Sequence, residues 1–241
     1  MYGFSLTFIS MCVVVAGTSF GVKAQVMTNS KTLSAKRCIS LDRLSATVHN
    51  LGAPLSDSEL HQVREVLIGN AERSSQCRQR VVKALMKAMD QPNLDLLWGK
   101  GSFDTWTYGA RLLGEMKAAE AIDLLIAHLD ATDGLSPNMN HYPAVEGLIT
   151  MGQIATPKLA EFLRHSPDRI KRRFGIFCIG AIGGSEARRV LEAALLSESD
   201  DCNRQFMTAS IKAFENQHSP NRIIFDPERS QWYSAFYCGG K

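Results

Sequence analysis

The parts of this chain that could carry chemistry are a glycine-rich turn, a cluster of arginines, scattered histidines and six cysteines, and their spacing limits each of them. The run IGAIGGSEARRVLEAAL, Ile179 to Leu195, sets glycines ahead of a helix-forming stretch. Such a loop holds phosphate on backbone N–H groups when a strand leads into it and, in the P-loop, when Gly-Lys-[Ser/Thr] closes it. No β-branched alternation precedes these glycines and no such ending follows, so they read as a turn between helices. There is no G-x-S-x-G, no cysteine in a recognisable catalytic setting, and the acids are spread out, which leaves no basis for a general acid or base. With no C-x-x-C and no His pair at i, i+4, neither a metal site nor a cofactor is expected. Asp168–Arg173 (DRIKRR), together with Arg188 and Arg189, offers bases to an anionic ligand or acidic partner. Nothing aromatic is interleaved, so the reading adopted is a solvated helix start with Arg172 as a structural residue. A net charge of +3 is too weak to imply nucleic acid.

The N-terminal stretch MYGFSLTFISMCVVVAGTSFGVKAQ has no acid or base before Lys23. Phe4 to Val15 has the length of a signal-peptide core, and Val22-Lys23-Ala24 is a small-x-small-like cleavage site before Gln25. The alternative is an uncleaved anchor over Phe4 to Val22, the only way this chain is expected to meet a membrane. The expectation is export, periplasmic or secreted, with 1–24 a signal peptide and 25–37 a flexible segment. An oxidising compartment favours disulfides. Past residue 24 five cysteines remain, Cys38, Cys77, Cys178, Cys202 and Cys238, an odd number that leaves at least one thiol unpaired within the chain. Cys38 and Cys77 bracket an N-terminal helical hairpin and are expected to pair. Cys202, at the start of the final helix, is expected to pair with Cys238 in the aromatic tail. Cys178 lies in an apolar helix and reads as a small core residue.

Internal similarity organises the rest. Around Gly114, Gly152 and Gly180, which stand 38 and 28 residues apart, the same offsets recur. An apolar residue precedes each glycine (Leu113, Met151, Ile179), and a second glycine lies five before it (Gly109, Gly147, Gly175). Another apolar residue follows two later (Met116, Ile154, Ile182), and a leucine eleven later (Leu125, Leu163, Leu191). Each unit reads as helix, turn, helix, with the turn-rich insertion at 131–141 lengthening the first. In the best unit, PDRIKRRFGIFCIGAI is the first helix and GGSE is the break, with Ser185 able to cap the next helix. The second helix has Ala187, Val190, Leu191, Ala194 and Leu195 on one stripe. A mid-helix glycine costs about 1 kcal/mol relative to alanine, so the recurrent ones point to a neighbouring backbone passing close by.

These units resemble HEAT repeats, specifically the short HEAT-like type noted in phycobilisome lyases. The third matches best, through Asp168, Arg172, Ile179, Gly180, Ile182, Gly183, Ala187 and Leu191. Where the repeat has its arginine, the first unit has Trp106 and the second Ala144. The resemblance covers about 104–197 and is fainter over 78–92 and 203–214, as suits terminal units. It implies an all-α fold, an α-solenoid of stacked helical hairpins over 38–217, with the tail 218–241 packed on the last unit. In such arrays the second helices expose their outer side chains, here Asp123, Lys158, Glu161, Arg188, Arg189 and Glu192. That mixed-charge surface suits a protein or peptide partner and a non-catalytic scaffold outside the cytoplasm. The alternative the resemblance raises is an enzyme or subunit of bilin-lyase type, against which the export signal argues. Trp98, Phe103, Trp106 and Tyr108 are either contact hot spots or the cap of the first full unit; Trp232, Tyr233, Phe236 and Tyr237 are expected to fold back over the last helix.

Overall fold

The computed structural model describes residues 37–52, 55–90, 102–131 and 142–215. The chain divides into two compact units, Met1–Arg37 and Cys38–Lys241, and every element below belongs to the second. Among the described residues there are ten α-helices and no strand. In chain order they are α1 (Leu41–His49), α2 (Asp57–Ala71), α3 (Ser75–Met89), α4 (Ser102–Glu115), α5 (Ile122–Ala127), α6 (Pro143–Met151), α7 (Thr156–His165), α8 (Arg169–Ile182), α9 (Gly184–Leu195) and α10 (Asp201–Glu215). No described helix is long and apolar enough to cross a membrane.

Local chemistry sets many of the boundaries. Ser56 and Glu59 form a capping box at the start of α2. The Ser74 hydroxyl accepts from the Cys77 N–H at the start of α3. The Asp168 carboxylate accepts from the N–H groups of Ile170 and Lys171 and starts α8, as its position after Pro167 suggests. Pro143 opens α6, where its missing N–H costs nothing. Gly183 stops α8 with φ of 68° and Gly184 follows at 83°, a left-handed pair that reverses the chain in two residues. That tight reversal corrects the expected cap. α9 resumes at Gly184, so Ser185 already lies inside the helix and no side chain caps it.

The helices pack in a regular order. α4 lies against α6, α6 against α8 and α8 against α10; α5 lies against α7 and α7 against α9. α5, α7 and α9 also touch the next helix in sequence, α6, α8 and α10 respectively. At the N-terminal side α1 and α2 pack on α3, and α3 on α4. One continuous apolar core joins them, with Leu67, Leu85, Leu113, Leu125, Leu148, Leu159 and Leu191 fully buried. Each such side chain contributes about 1.5–3 kcal/mol on leaving water. On α9, Ala187 and Leu191 are buried and Val190, Ala194 and Leu195 are half-buried against the core, the stripe read from the sequence.

The glycines divide into kinds. At Gly147 a Cβ would stand 2.7 Å from the Ala110 carbonyl oxygen, and at Gly114 it would stand 2.7 Å from that of Gly147. Here backbones do touch, across α4 and α6. At Gly109 and Gly175 a Cβ would meet only side chains, Met89 in one case and Phe162 and Leu163 in the other. The expectation of backbone approach at all three of these positions is therefore corrected to Gly147. The anchor glycines also differ: Gly114 and Gly180 are helical, whereas Gly152 lies past the end of α6 with φ of 70°. A 3₁₀ turn, Gly152–Ile154, stands where the other two units are still helical at the anchor glycine, and a second one, Ala119–Ala121, leads directly into α5. Leu125, Leu163 and Leu191 are nevertheless all buried in the core.

Cys38 and Cys77 stand at disulfide distance, with Sγ atoms 2.03 Å and Cα atoms 5.2 Å apart across 39 residues of sequence. Closing a loop of that size stabilises by about 4 kcal/mol on the chain-entropy model. Cys202 is also disulfide-bonded; Cys238 lies outside the described residues. Cys178 is a free, fully buried thiol whose pKa burial pushes up.

Candidate functional site: charged side chains of the second helices

The six side chains singled out from the sequence lie on α5, α7 and α9, which pack in that order. They are not free charges. Lys158 of α7 reaches across to Asp123 of α5 at 3.3 Å and along its own helix to Glu161 at 3.8 Å. On α9, Arg188 pairs with Glu192 at 2.6 Å and Arg189 with Glu186 at 2.8 Å. All are well exposed, Asp123 and Arg189 at 74% and 75% of their side-chain surface. Exposed pairs of this kind contribute little to stability, about 0–1 kcal/mol each. They leave a surface on which each of these bases is met by at least one acid. Glu186 was absent from the sequence reading. It lies three residues before Arg189, and that helical spacing is the signal that identifies it.

Three of the four bases of DRIKRR, Lys171, Arg172 and Arg173, are engaged inside the structure, while Arg169 is exposed. Lys171 pairs with Asp130 at 3.1 Å and donates to the Ala127 carbonyl at 2.9 Å, tying α8 to the end of α5. Arg172 holds Glu198 with two hydrogen bonds, 3.1 and 2.8 Å, and donates to the Ser166 carbonyl. Their side chains are only 14% and 4% exposed. Arg173 donates to the Asn203 side-chain oxygen and lies 3.6 Å from Asp200. Asn203 in turn donates to Glu198 and to the Arg169 carbonyl. Burial pushes the Glu198 carboxyl up, but hydrogen bonds from Arg172, the Asp200 amide and Asn203 outweigh it and hold the group below the usual carboxylate range. Burial pushes Arg173 down against the pull of Asp200. This cluster locks the turn after α9 onto the start of α8, so Arg172 is structural, as read from the sequence.

The aromatic segment resolves in part. Trp106 is 1% exposed and packs edge-on against His128, ring centroids 5.2 Å apart. Tyr108 is half-buried against the core. Trp106 thus fills space inside the first unit and is no contact hot spot. Burial and the nearby Lys171 lower the His128 pKa, opposed by Asp130 and Asp90. The Trp106–His128 pair was not visible in the sequence, because the partner lies 22 residues on with no periodic relation to it. Trp98, residues 132–141, Trp232, Tyr233, Phe236 and Tyr237 lie outside the described residues, as does the side chain of Phe103.

Among the described residues no group of three or more His, Cys, Asp or Glu is placed to hold a metal ion. The fold and its surfaces define a class no finer than an all-helical chain with buried ion-pair joints and a disulfide-linked N-terminal hairpin. No family model, curated protein or solved structure matches it significantly.

Proposed function

We propose that this protein is a non-catalytic helical-repeat scaffold of HEAT-like type that acts outside the cytoplasm and binds another protein along its second helices. The observation that carries the reading is the packing order: α4, α6, α8 and α10 touch in sequence, and α5, α7 and α9 do so beside them. That is how a solenoid propagates, with each hairpin burying its apolar edge against the next. The Cys38–Cys77 bridge supports an oxidising compartment. The buried titratable groups support a structural rather than a chemical interior, since Glu198 and Arg173 are satisfied within one turn-locking cluster and the Cys178 thiol is enclosed. Cross-linking of the native exported fraction with a lysine-reactive reagent tests this directly. A single protein is expected to be joined repeatedly to Lys158 on α7, and small-angle scattering is expected to give an elongated envelope. Cross-links scattered over the surface, or a spherical envelope, would overturn the reading.

A further inference from the structure

A groove of about 560 Å³ lies between α3 and the turn into α5. Its size is that of a pocket for several side chains. Val82 and Met86 of α3 and Leu124 of α5 form its apolar floor, and Lys83 and Lys87 stand along the α3 side. Helix α3 contains Arg78, Arg80, Lys83 and Lys87 and not one acid between Ser75 and Met89. Elsewhere on the described surface Lys158, Lys171, Arg188 and Arg189 each meet an acid. Lys83 and Lys87 are the contrast: neither has an ion-pair or hydrogen-bond partner among the described residues. Two acids also line the groove. Glu120 is already held by Arg78 at 3.0 Å, which leaves Asp90 at one end against two unmatched lysines.

We propose that this groove docks an acidic, leucine-rich peptide segment of another protein. The apolar side chains of that segment would cover Val82, Met86 and Leu124, and its carboxylates would meet Lys83 and Lys87. Apolar burial supplies the affinity and the lysine pair supplies the choice of partner. The site lies apart from the second-helix row that pairs Lys158 with Asp123, and it requires only that α3 and α5 lie together, not that the later units form a solenoid.

The test is fluorescence anisotropy with the disulfide-intact chain and labelled peptides built of repeated Glu-Leu-Leu-Glu, Lys-Leu-Leu-Lys or Glu-Ser-Ser-Glu. Saturable binding of the first alone is expected. In K83E/K87E, whose substituted side chains are exposed, that binding weakens at least about tenfold, and the Lys-Leu-Leu-Lys peptide gains affinity. This gain also shows that the variant is folded. The proposal falls if no peptide saturates, if Glu-Ser-Ser-Glu binds equally well, or if the double variant binds the acidic peptide undiminished. It falls too if vesicles of anionic lipid bind through Lys83 and Lys87 while the peptides do not. None of these results bears on the scattering envelope that tests the scaffold reading.

Discussion

Trp106 and Arg172 occupy like positions in two first helices. Each stands eleven residues before the residue of positive φ that ends its helix, Lys117 (50°) in one case and Gly183 (68°) in the other. Each reaches a residue just beyond the second helix of its own unit, Trp106 to His128 and Arg172 to Glu198. One joint is an aromatic wedge and the other a two-pronged ion pair tied into a network with Asn203, Arg173 and Asp200. The same junction is thus closed by opposite means. The wedge needs bulk, and its indole N–H finds no hydrogen-bond partner among the described residues. The ion pair needs every partner present, because a buried charge left alone is costly.

That contrast can be broken from either side. Trp106→Ala should cost the most, about 4 kcal/mol in urea unfolding, since it leaves a cavity that the helices cannot fully close. Glu198→Ala should cost about 3 kcal/mol by stranding Arg172, and adding Arg172→Met should recover part of that loss. A double variant no better than the single would mean that the network, not the pair, carries the joint. Acid sharpens the comparison further. His128 has a lowered pKa, so its neutral form is favoured in the folded chain. Its contribution is complete above the unfolded value of about 6.5 and is lost as pH falls through the lowered folded value. Glu198 is also lowered, so its contribution holds above about 4.3 and is lost only as pH falls through a value below that. His128→Gln should flatten the upper window of a stability-versus-pH curve and Glu198→Gln the lower one. Interchange of the two windows would refute the assignment.

A smaller effect separates the glycines. Gly147→Ala should cost about 2 kcal/mol, because its methyl would press on the Ala110 carbonyl. Gly152→Ala should cost about 1–3 kcal/mol, through backbone strain alone in open space, because φ of 70° with ψ of −141° is a conformation that only glycine adopts readily. At the bottom of the scale, Arg189→Ala should stay within about 0.5 kcal/mol, because its partner Glu186 is exposed with it.

Local physics made much of this legible from residue order. Asp168 marks a helix start because a carboxylate there meets free N–H groups, and the Ala187–Leu191 stripe marks the buried face because i and i+4 share it. The equal offsets around Gly114, Gly152 and Gly180 misled for a related reason. Apolar spacing records which side chains are buried and not the backbone conformation of the glycine between them, so it did not distinguish Gly152, with φ of 70° past the end of α6, from the helical Gly114 and Gly180. Ser185 was read as a cap from its type alone, but two left-handed glycines had already reversed the chain. The mixed charges of α5, α7 and α9 were visible as types, yet their mutual neutralisation depends on Lys158 meeting Asp123 across helices, which no local period encodes. That Lys83 and Lys87 of α3 meet no acid among the described residues was not legible for the same reason: Glu120, in the same groove, is held by Arg78, a pairing 42 residues apart in sequence.

The Cys38–Cys77 bond gives the N-terminal end a mechanical role as well as a thermodynamic one. A pull on the chain from the Met1–Arg37 side would enter at Cys38 and pass by covalent linkage straight to the head of α3, leaving α1 and α2 slack. Tethered at that end, the molecule would bear load through α3 first, and reduction of the bond would convert a short, stiff tether into a long, yielding one.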